Sequence, residues 1–590
     1  MRTRPGTLVI ALFLFLSVRG GAAGAAPRIV SLLPGTTSGE WTAVISGKEA
    51  RKPDGLAFLV DGKPVTAEAQ GAEGETVRLK LQGVPAGAKR LAVALRGKEK
   101  EPLAALDFGP LDSPFADWTI YHVMVEMFAN GNPGNDGEIT GWKHPNYAGG
   151  DLQGILEHAK HLQDLGINAV WLSPIFAAKT SHGYDVLDYY RIGDAVAVPD
   201  DPKASLELFR RLVQDLHGRG IRVVLDVPLN HASKAYDREA GDPGKLKPRA
   251  TAARQEAEKL WESWGGEYRY WDFSHEPTRR FLKDAALHWL RDEGVDGLRL
   301  DYVRGVPHDF WAELSKEVKQ VKPDAWLVGE AWMDAGREDA NAAEIATYYE
   351  PIGGSRQFDS LFDFPLQMVM TSVFARGNPA AELEEWLQRT EAIYGPDALP
   401  ARFLDNHDMT RFLAWTQEPD RLVAAVGFMA SLSGPLVLFY GTETGLSHGG
   451  PKAGFTDAGR VPMPWGKLDQ ALLGRIQKIL QLRREHPALT RGGRLPLLAD
   501  RDALVMAKVA PEETVLVGVN LSGAPRKVEL DVAGLLPAGA KPQPLLGDAP
   551  AVVSESGRLE WTLPPRGTWF LTFSPINPIN PGLPKTGAKE

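Results

Sequence analysis

The chain has 590 residues, 43% of them hydrophobic and 24% charged, an ordinary globular balance and a length that calls for more than one core. A formal net charge of -9 with no long acidic or basic run points away from nucleic acid and from a polybasic membrane contact, and toward small neutral ligands. Cysteine is absent, which removes disulfides, thiolate metal sites and thiol nucleophiles and leaves core size or a bound metal to stabilise the fold.

Residues 1–26 carry Arg2 and Arg4, then the apolar run Leu8 to Val18, then the small-residue stretch "AAGAA". These are the three regions of a secretory signal peptide, and the run is about half the roughly 20 residues that span a bilayer. The expectation is an exported protein, periplasmic or extracellular, whose fold begins at Pro27. Over 27–112 short alternating segments ("GLAFLVDGKPV", "TVRLKLQGV", "RLAVALRG") are broken by Gly and Pro turns, which predicts a small β-sandwich resembling an immunoglobulin-like module. "GPLDSPFADW" reads as the linker that follows it.

From 117 to 486 the pattern changes. Short apolar runs ("NAVWLSP", "IRVVLDVPLNH", "GLRLD", "WLVGE", "RFLDNHD", "PLVLFYGTE") alternate with helical stretches such as "SLELFRRLVQDLHGRG". Repeated strand–helix alternation predicts an α/β fold with a parallel sheet, and polar residues gather at the C-terminal end of each run, where a (β/α)8 TIM barrel carries its site. A doubly wound sheet would show a Gly-rich phosphate loop after an early strand, and none is present. The segment 232–273 is too long for a simple connection and reads as an excursion domain over the barrel mouth after the third strand. Alternation returns over 487–573 as a second, C-terminal β-sandwich, and the Pro-rich tail 574–590 reads as disordered.

Three carboxylates stand out. Asp301 ends "GLRLD" with Arg299 two residues earlier, hence on the same side of the strand, and a cation there favours the ionised form. Glu330 ends "WLVGE" among Gly329, Ala331 and Trp332, an apolar setting that keeps a proton on it. Asp408 follows His407 in "LDNHD". Taken in order, "DVPLNH", "GLRLD", "VGEAW" and "LDNHD", together with "HGYDVLDYY" and "YGTETG", resemble the signature segments of the α-amylase family of glycoside hydrolases, the group that includes secreted α-amylases, cyclomaltodextrinases and neopullulanases.

The resemblance implies a retaining glycosidase acting on α-1,4 bonds of maltodextrin, starch or cyclodextrin. Asp301 would be the nucleophile, Glu330 the general acid/base and Asp408 the carboxylate that holds sugar hydroxyls and stabilises the transition state. His182, His231 and His407 would hydrogen-bond the sugar at the cleavage site, Tyr184 would stack on its ring, and Arg299 would orient Asp301. Many starch-hydrolysing relatives have Lys-His where this chain has Arg304 and Gly305, so leaving-group-side preference does not carry over. A 4-α-glucanotransferase on the same site is the nearest alternative; a non-catalytic carbohydrate-binding protein fits poorly with three occupied carboxylate positions. None of the 16 tryptophans is given a binding role.

"FANGNPGND" and "YAGGD" place Asn130, Asn132, Asn135, Asp136, Gly149 and Asp151 in two turns. Their hard oxygens suit calcium better than zinc, and the spacing resembles a structural calcium site near the first barrel strand of cyclodextrin glucanotransferases. Because every catalytic segment lies downstream of 112, cleavage of soluble substrate is expected to survive removal of 27–111. The expected partner is an α-glucan, with neither nucleic acid nor membrane, and the oligomeric state is left open.

Overall fold

The computed structural model describes residues 27–35, 39–236, 244–247, 268–333, 336–536, 540–547 and 550–574. The leader read at 1–26, most of the excursion read at 232–273 and the tail from 575 lie outside the described residues.

Eight short strands form the central sheet: β1 (Thr119–Val123), β2 (Ala169–Leu172), β3 (Arg222–Val227), β4 (Gly297–Leu300), β5 (Trp326–Gly329), β6 (Ser360–Leu361), β7 (Arg402–Phe403) and β8 (Leu436–Phe439). All pairings are parallel, β8 returns to β1, and a bridge from Phe362 to Ala401 joins the ends of β6 and β7. The sheet closes on itself as a (β/α)8 barrel. The principal helices between and after the strands are α1 (Ala159–Leu165), α2 (Pro202–Gly218), α3 (Glu276–Arg291), α4 (His308–Val321), α5 (Glu338–Tyr349), α6 (Ala381–Tyr394), α7 (Pro419–Ala430) and α8 (Gln470–Glu485).

The strands read as near-continuous apolar runs because both faces are buried. Their period of two divides the residues between two cores. Ile120, Ala169, Trp171, Val224, Trp326, Val328, Phe403 and Val437 fill the barrel interior. Tyr121, Val123, Val170, Leu172, Val223, Leu225, Leu298, Leu300 and Leu327 pack outward against the helices. Extending the inward series past the last apolar residue places Asp226 after Val224, Asp301 after Arg299 and Glu330 after Val328, at the C-terminal mouth.

Two antiparallel ribbons rise over that mouth. One, Phe176–Ala178 with Val186–Ile192, carries the turn bearing His182 and Tyr184. Gly183 between them has φ +77°, and a Cβ there would meet the Pro174 carbonyl at 2.5 Å, so this turn admits only glycine. The other pairs His231–Ser233 with Tyr268–Tyr270 and is the described part of the excursion.

The N-terminal region is a sandwich of two four-stranded sheets. In Thr76–Gln82, "TVRLKLQ", the buried Val77, Leu79 and Leu81 alternate with more exposed residues, as a strand with one covered face should. The C-terminal region packs a five-stranded sheet against a three-stranded one, and its first strand begins at Gly493, since Pro487–Arg491 forms a short helix. Separate modules, as the alternation patterns predict, would each close their own core; here the two sandwiches share one. Ile29, Leu32, Val77, Leu79 and Leu81 belong to one continuous apolar core with Leu495, Val505, Leu516 and Leu571. Gln388 on α6 accepts the Ile29 N–H at 2.8 Å and donates to the Ile29 carbonyl at 2.6 Å. Arg494 pairs with Glu391 at 2.8 Å and with Glu384, while Arg90 bonds to the Glu391 carbonyl and to Asp107 at 2.6 Å. The N-terminal sandwich is thus fastened to both the barrel and the C-terminal sandwich by groups that alternation patterns do not reveal.

Candidate active site

Arg299 organises the mouth of the barrel. It is 1% exposed; its Nη1 donates to Asp226 Oδ1 at 2.9 Å and to Asp301 Oδ1 at 2.7 Å, and its Nη2 to Glu330 Oε2 at 2.6 Å. One guanidinium therefore aligns Asp301 and Glu330 and joins both to Asp226. The Tyr184 hydroxyl and the Trp171 Nε1–H also donate to Asp226 Oδ2, at 2.8 Å and 3.0 Å, so Asp226 anchors the site from below.

Burial pushes the Glu330 carboxyl up to about 8, against the pull of Arg299 and with help from Asp301 and Asp408. This is the state of a carboxyl that holds a proton to donate at neutral pH. Asp408 lies five residues beyond the end of β7, on a loop and not at a strand end. Its Oδ1 receives Arg460 Nη2 at 2.9 Å, and its Oδ2 lies 3.0 Å from His407 Nε2. Burial raises its pKa, with Arg460 opposing.

Burial lowers the pKa of His182, His231 and His407, which makes them neutral imidazoles near pH 7. His182 Nδ1 accepts the Tyr184 N–H at 3.1 Å, leaving its proton on Nε2. His231 donates Nε2–H to the Tyr184 carbonyl at 3.0 Å, and its Nδ1 lies 3.9 Å from Asp301 Oδ2. The Tyr184 hydroxyl lies 2.8 Å from His407 Nε2, and the two rings are nearly parallel, with centroids 5.4 Å apart and planes 6° apart.

The eight residues expected at the catalytic and sugar-binding positions converge here; seven line one cleft or touch it, and Arg299 lies beneath. The cleft holds about 570 Å³ of open space, counting its mouth, and its wall also includes Asn230, Tyr268, Tyr270, Tyr302, Trp332, Phe455 and Arg460. Of these seven, only Trp332 is placed by the sequence, as part of the apolar setting of Glu330, and none is given a binding role. Tyr268 and Tyr270 alternate within "YRYWDF", as inward residues of a ribbon should, but the long segment before them hides which strand they pair with. Trp332 stands two residues after Glu330 and shares its side of the chain. Arg460 lies in the loop after β8, and nothing in its neighbourhood marks it as the partner of Asp408.

The candidate metal ligands also come together. Asn130 Nδ2 lies 3.0 Å from both Asp136 carboxylate oxygens. Gly149, at φ +69°, is so close that a Cβ would meet Asn130 Nδ2 at 2.3 Å and Asp136 Oδ1 at 2.5 Å. Asp151 caps the helix Leu152–Glu157 through Gly154 N–H at 2.7 Å and accepts the Asn132 N–H at 2.8 Å and the Asn135 Nδ2 at 3.3 Å. Asn132 Oδ1 accepts the Gly134 N–H at 3.2 Å, an ordinary turn bond. The Asn135 Oδ1 is buried without a hydrogen-bond donor. Among the described residues no group of three or more His, Cys, Asp or Glu is arranged around a metal position; this set has only two carboxylates and otherwise offers amide and carbonyl oxygens.

The raised Glu330 value has a consequence for stability as well as for catalysis. A carboxyl whose folded-state value exceeds its unfolded value of 4.5 carries extra protons in the fold; its contribution is complete below about 4.5 and is lost as pH rises through about 8. Glu330→Gln removes this loss, so the melting temperature of that variant relative to the parent should increase steadily from about pH 5 to about pH 8. A difference independent of pH, measured by calorimetry, would exclude the shift.

The family model described as alpha amylase, catalytic domain, matches residues 122–253 and 269–471. A cyclomaltodextrinase from Bacillus sp is 32% identical over 436 residues, covering 68% of this chain and 72% of the relative. Neopullulanase 2 of Thermoactinomyces vulgaris is 31% identical over 436 residues, covering 69% of each. Among solved structures, an Anoxybacillus α-amylase superposes with a TM-score of 0.67 at 30% identity, over 81% of this chain and 100% of that one.

Proposed function

Because the chain belongs to the α-amylase family of glycoside hydrolases, we propose that it cleaves α-1,4-glucosidic bonds of maltodextrin, starch or cyclodextrin with retention of configuration. The observation that carries this reading is the single Arg299 guanidinium hydrogen-bonded to both Asp301 and Glu330. That bridge holds both carboxyls on one guanidinium; retention, which needs a carboxyl separation of about 5–5.5 Å, is drawn from the family.

In the first step Asp301 attacks the anomeric carbon while Glu330 passes its proton to the leaving oxygen. In the second, Glu330 takes a proton from water as the water displaces Asp301 from the sugar. Asp408, fixed by Arg460 and His407, faces the oxocarbenium-like ring and its hydroxyls. The relatives named cyclomaltodextrinase and neopullulanase support an α-glucan as substrate. A glucanotransferase would use the same first step and replace water by a sugar. Chromatography of products from maltotriose, starch, pullulan and β-cyclodextrin tests the reading: glucose and maltose without longer oligomers mean hydrolysis, longer oligomers from maltotriose mean transfer, and no cleavage of any of them rejects both.

Calcium belongs to this proposal as a structural ion. The orphaned Asn135 Oδ1 and the close approach of Asn130, Asp136 and Gly149 fit a hard cation bound mainly by neutral oxygens. Asn130, Asn132, Asn135, Asp136, Gly149 and Asp151 would hold it, tying the loop after β1 to the helix that follows. Chelation should lower the melting temperature by several degrees, roughly, and change initial rates at low temperature little. An unchanged melting curve together with no calcium by elemental analysis would return these residues to an ordinary turn. The leader-like segment supports export, which fractionation of expressing cells would test.

A further inference from the structure

The turn after β4 and the turn after β5 meet around the acid. Glu330 Oε2 accepts the Tyr302 N–H at 3.1 Å, and the Glu330 carbonyl accepts the Val303 N–H at 2.9 Å. Tyr302 makes its bond from a backbone at φ +33°, a region that a bulky side chain avoids unless its surroundings hold it there. Arg304 is placed to do so. Its Nη1 lies 3.3 Å from the Tyr302 hydroxyl and 3.2 Å from the Trp332 carbonyl, and its Nε lies 3.3 Å from Glu344 Oε1.

Glu344 stands on α5, outside the cleft. Three residues earlier on the same helix, Asn341 donates to the Ala331 carbonyl at 2.6 Å. Residues three apart share a helix face, so α5 reaches the Glu330–Trp332 turn at two points, directly through Asn341 and through Arg304 from Glu344. Arg304 and Glu344 are both largely covered, with side chains 15% and 12% exposed. Two of the Arg304 nitrogens are committed to protein groups in three separate segments, which suits a brace better than a sugar contact.

We propose that Arg304 and Glu344 are positioning residues for proton donation by Glu330: together they pin Tyr302 in its strained conformation and so keep its N–H on the acid. The proposal rests on the glycosidase reading above. If the brace is cut, Tyr302 can relax, the acid loses its second donor, and the proton is no longer aimed at the leaving oxygen. The penalty should fall on substrates whose leaving group needs a proton and spare those whose leaving group departs as an anion.

The test compares kcat/KM, which reports the first irreversible step, for phenyl and dinitrophenyl α-maltosides, alike in shape but unlike in their need for an acid. Glu344→Gln should lower kcat/KM about tenfold for the phenyl maltoside and less than about twofold for the dinitrophenyl one. Tyr302→Phe, which removes only the hydroxyl that Arg304 holds, should show the same split and serves if the first variant does not fold. Equal losses on both maltosides, or no loss on the phenyl maltoside, would overturn the proposal. Cleavage of maltohexaose by the parent enzyme tests the underlying reading separately: a parent that leaves it intact removes the premise, whereas an active parent with no leaving-group split rejects the brace alone.

Discussion

Asp301→Asn should reduce turnover of maltohexaose by about 10⁴-fold or more while leaving the melting temperature unchanged or higher. The amide cannot form the glycosyl ester or offset the charge of the oxocarbenium-like carbon, so both steps lose their covalent partner. The fold should tolerate the change because Arg299 keeps Asp226 and Glu330, and because the mouth holds four carboxyls, Asp226, Asp301, Glu330 and Asp408, around two guanidiniums, Arg299 and Arg460. Removing one negative charge relieves repulsion in a buried site. Glu330→Gln should behave differently. It should lower turnover of maltohexaose by roughly 10²–10⁴-fold, yet still release about one equivalent of dinitrophenol per enzyme from an activated maltoside, since that leaving group needs no proton. A variant of either residue that retains most of its activity on maltohexaose would displace it from its role. A steep drop in melting temperature for Asp301→Asn would mean that the lost activity reflects lost structure.

Much of the candidate site could be read in the chain because it obeys a local rule. Strand residues alternate between the barrel interior and the helices, so a polar group two residues beyond an inward one must emerge at the mouth; Asp226 and Glu330 follow the inward Val224 and Val328, and Asp301 follows the inward Arg299. The turn at His182 and Tyr184 is legible only through the resemblance of "HGYDVLDYY" to a family segment. Arg460 is not legible. It meets Asp408 across 52 residues, and such a pairing depends on how two mouth loops fold over each other. Tyr302 and Arg304 are a different case: their identity is visible, but their work depends on a helix that begins more than thirty residues later. Trp332 serves two settings at once, packed in the barrel-interior core and lining the cleft beside Glu330. The packing of the N-terminal sandwich is the largest feature that alternation does not convey, because a strand's pattern shows that one face is covered without showing by what.

That packing reverses the expectation for a truncated chain: removal of 27–111 should cost the enzyme much of its stability, and its activity wherever the fold is lost. The sandwich does not hang from a linker. Strand Arg28–Pro34 lies against strand Gly493–Ala499, and Leu495 shares a core with Ile29 and Leu32. Its loss would uncover Leu495 and the partly buried Leu497 and Leu498, each worth about 1.5–3 kcal/mol when fully buried. It would also strip Gln388 of its two bonds to Ile29 and take Arg90 from the group around Glu391, exchanging those protein partners for water on the uncovered face of α6. Set against a typical total stability of about 5–15 kcal/mol, these losses decide the outcome although no catalytic residue is touched. The truncated chain should be insoluble, or soluble with a melting temperature lowered by at least about 10 °C. Size-exclusion chromatography, calorimetry and maltohexaose turnover on the same preparation make the check. A monodisperse truncation with the parent's melting temperature and activity would show that the sandwich is a detachable module and that the shared core contributes little.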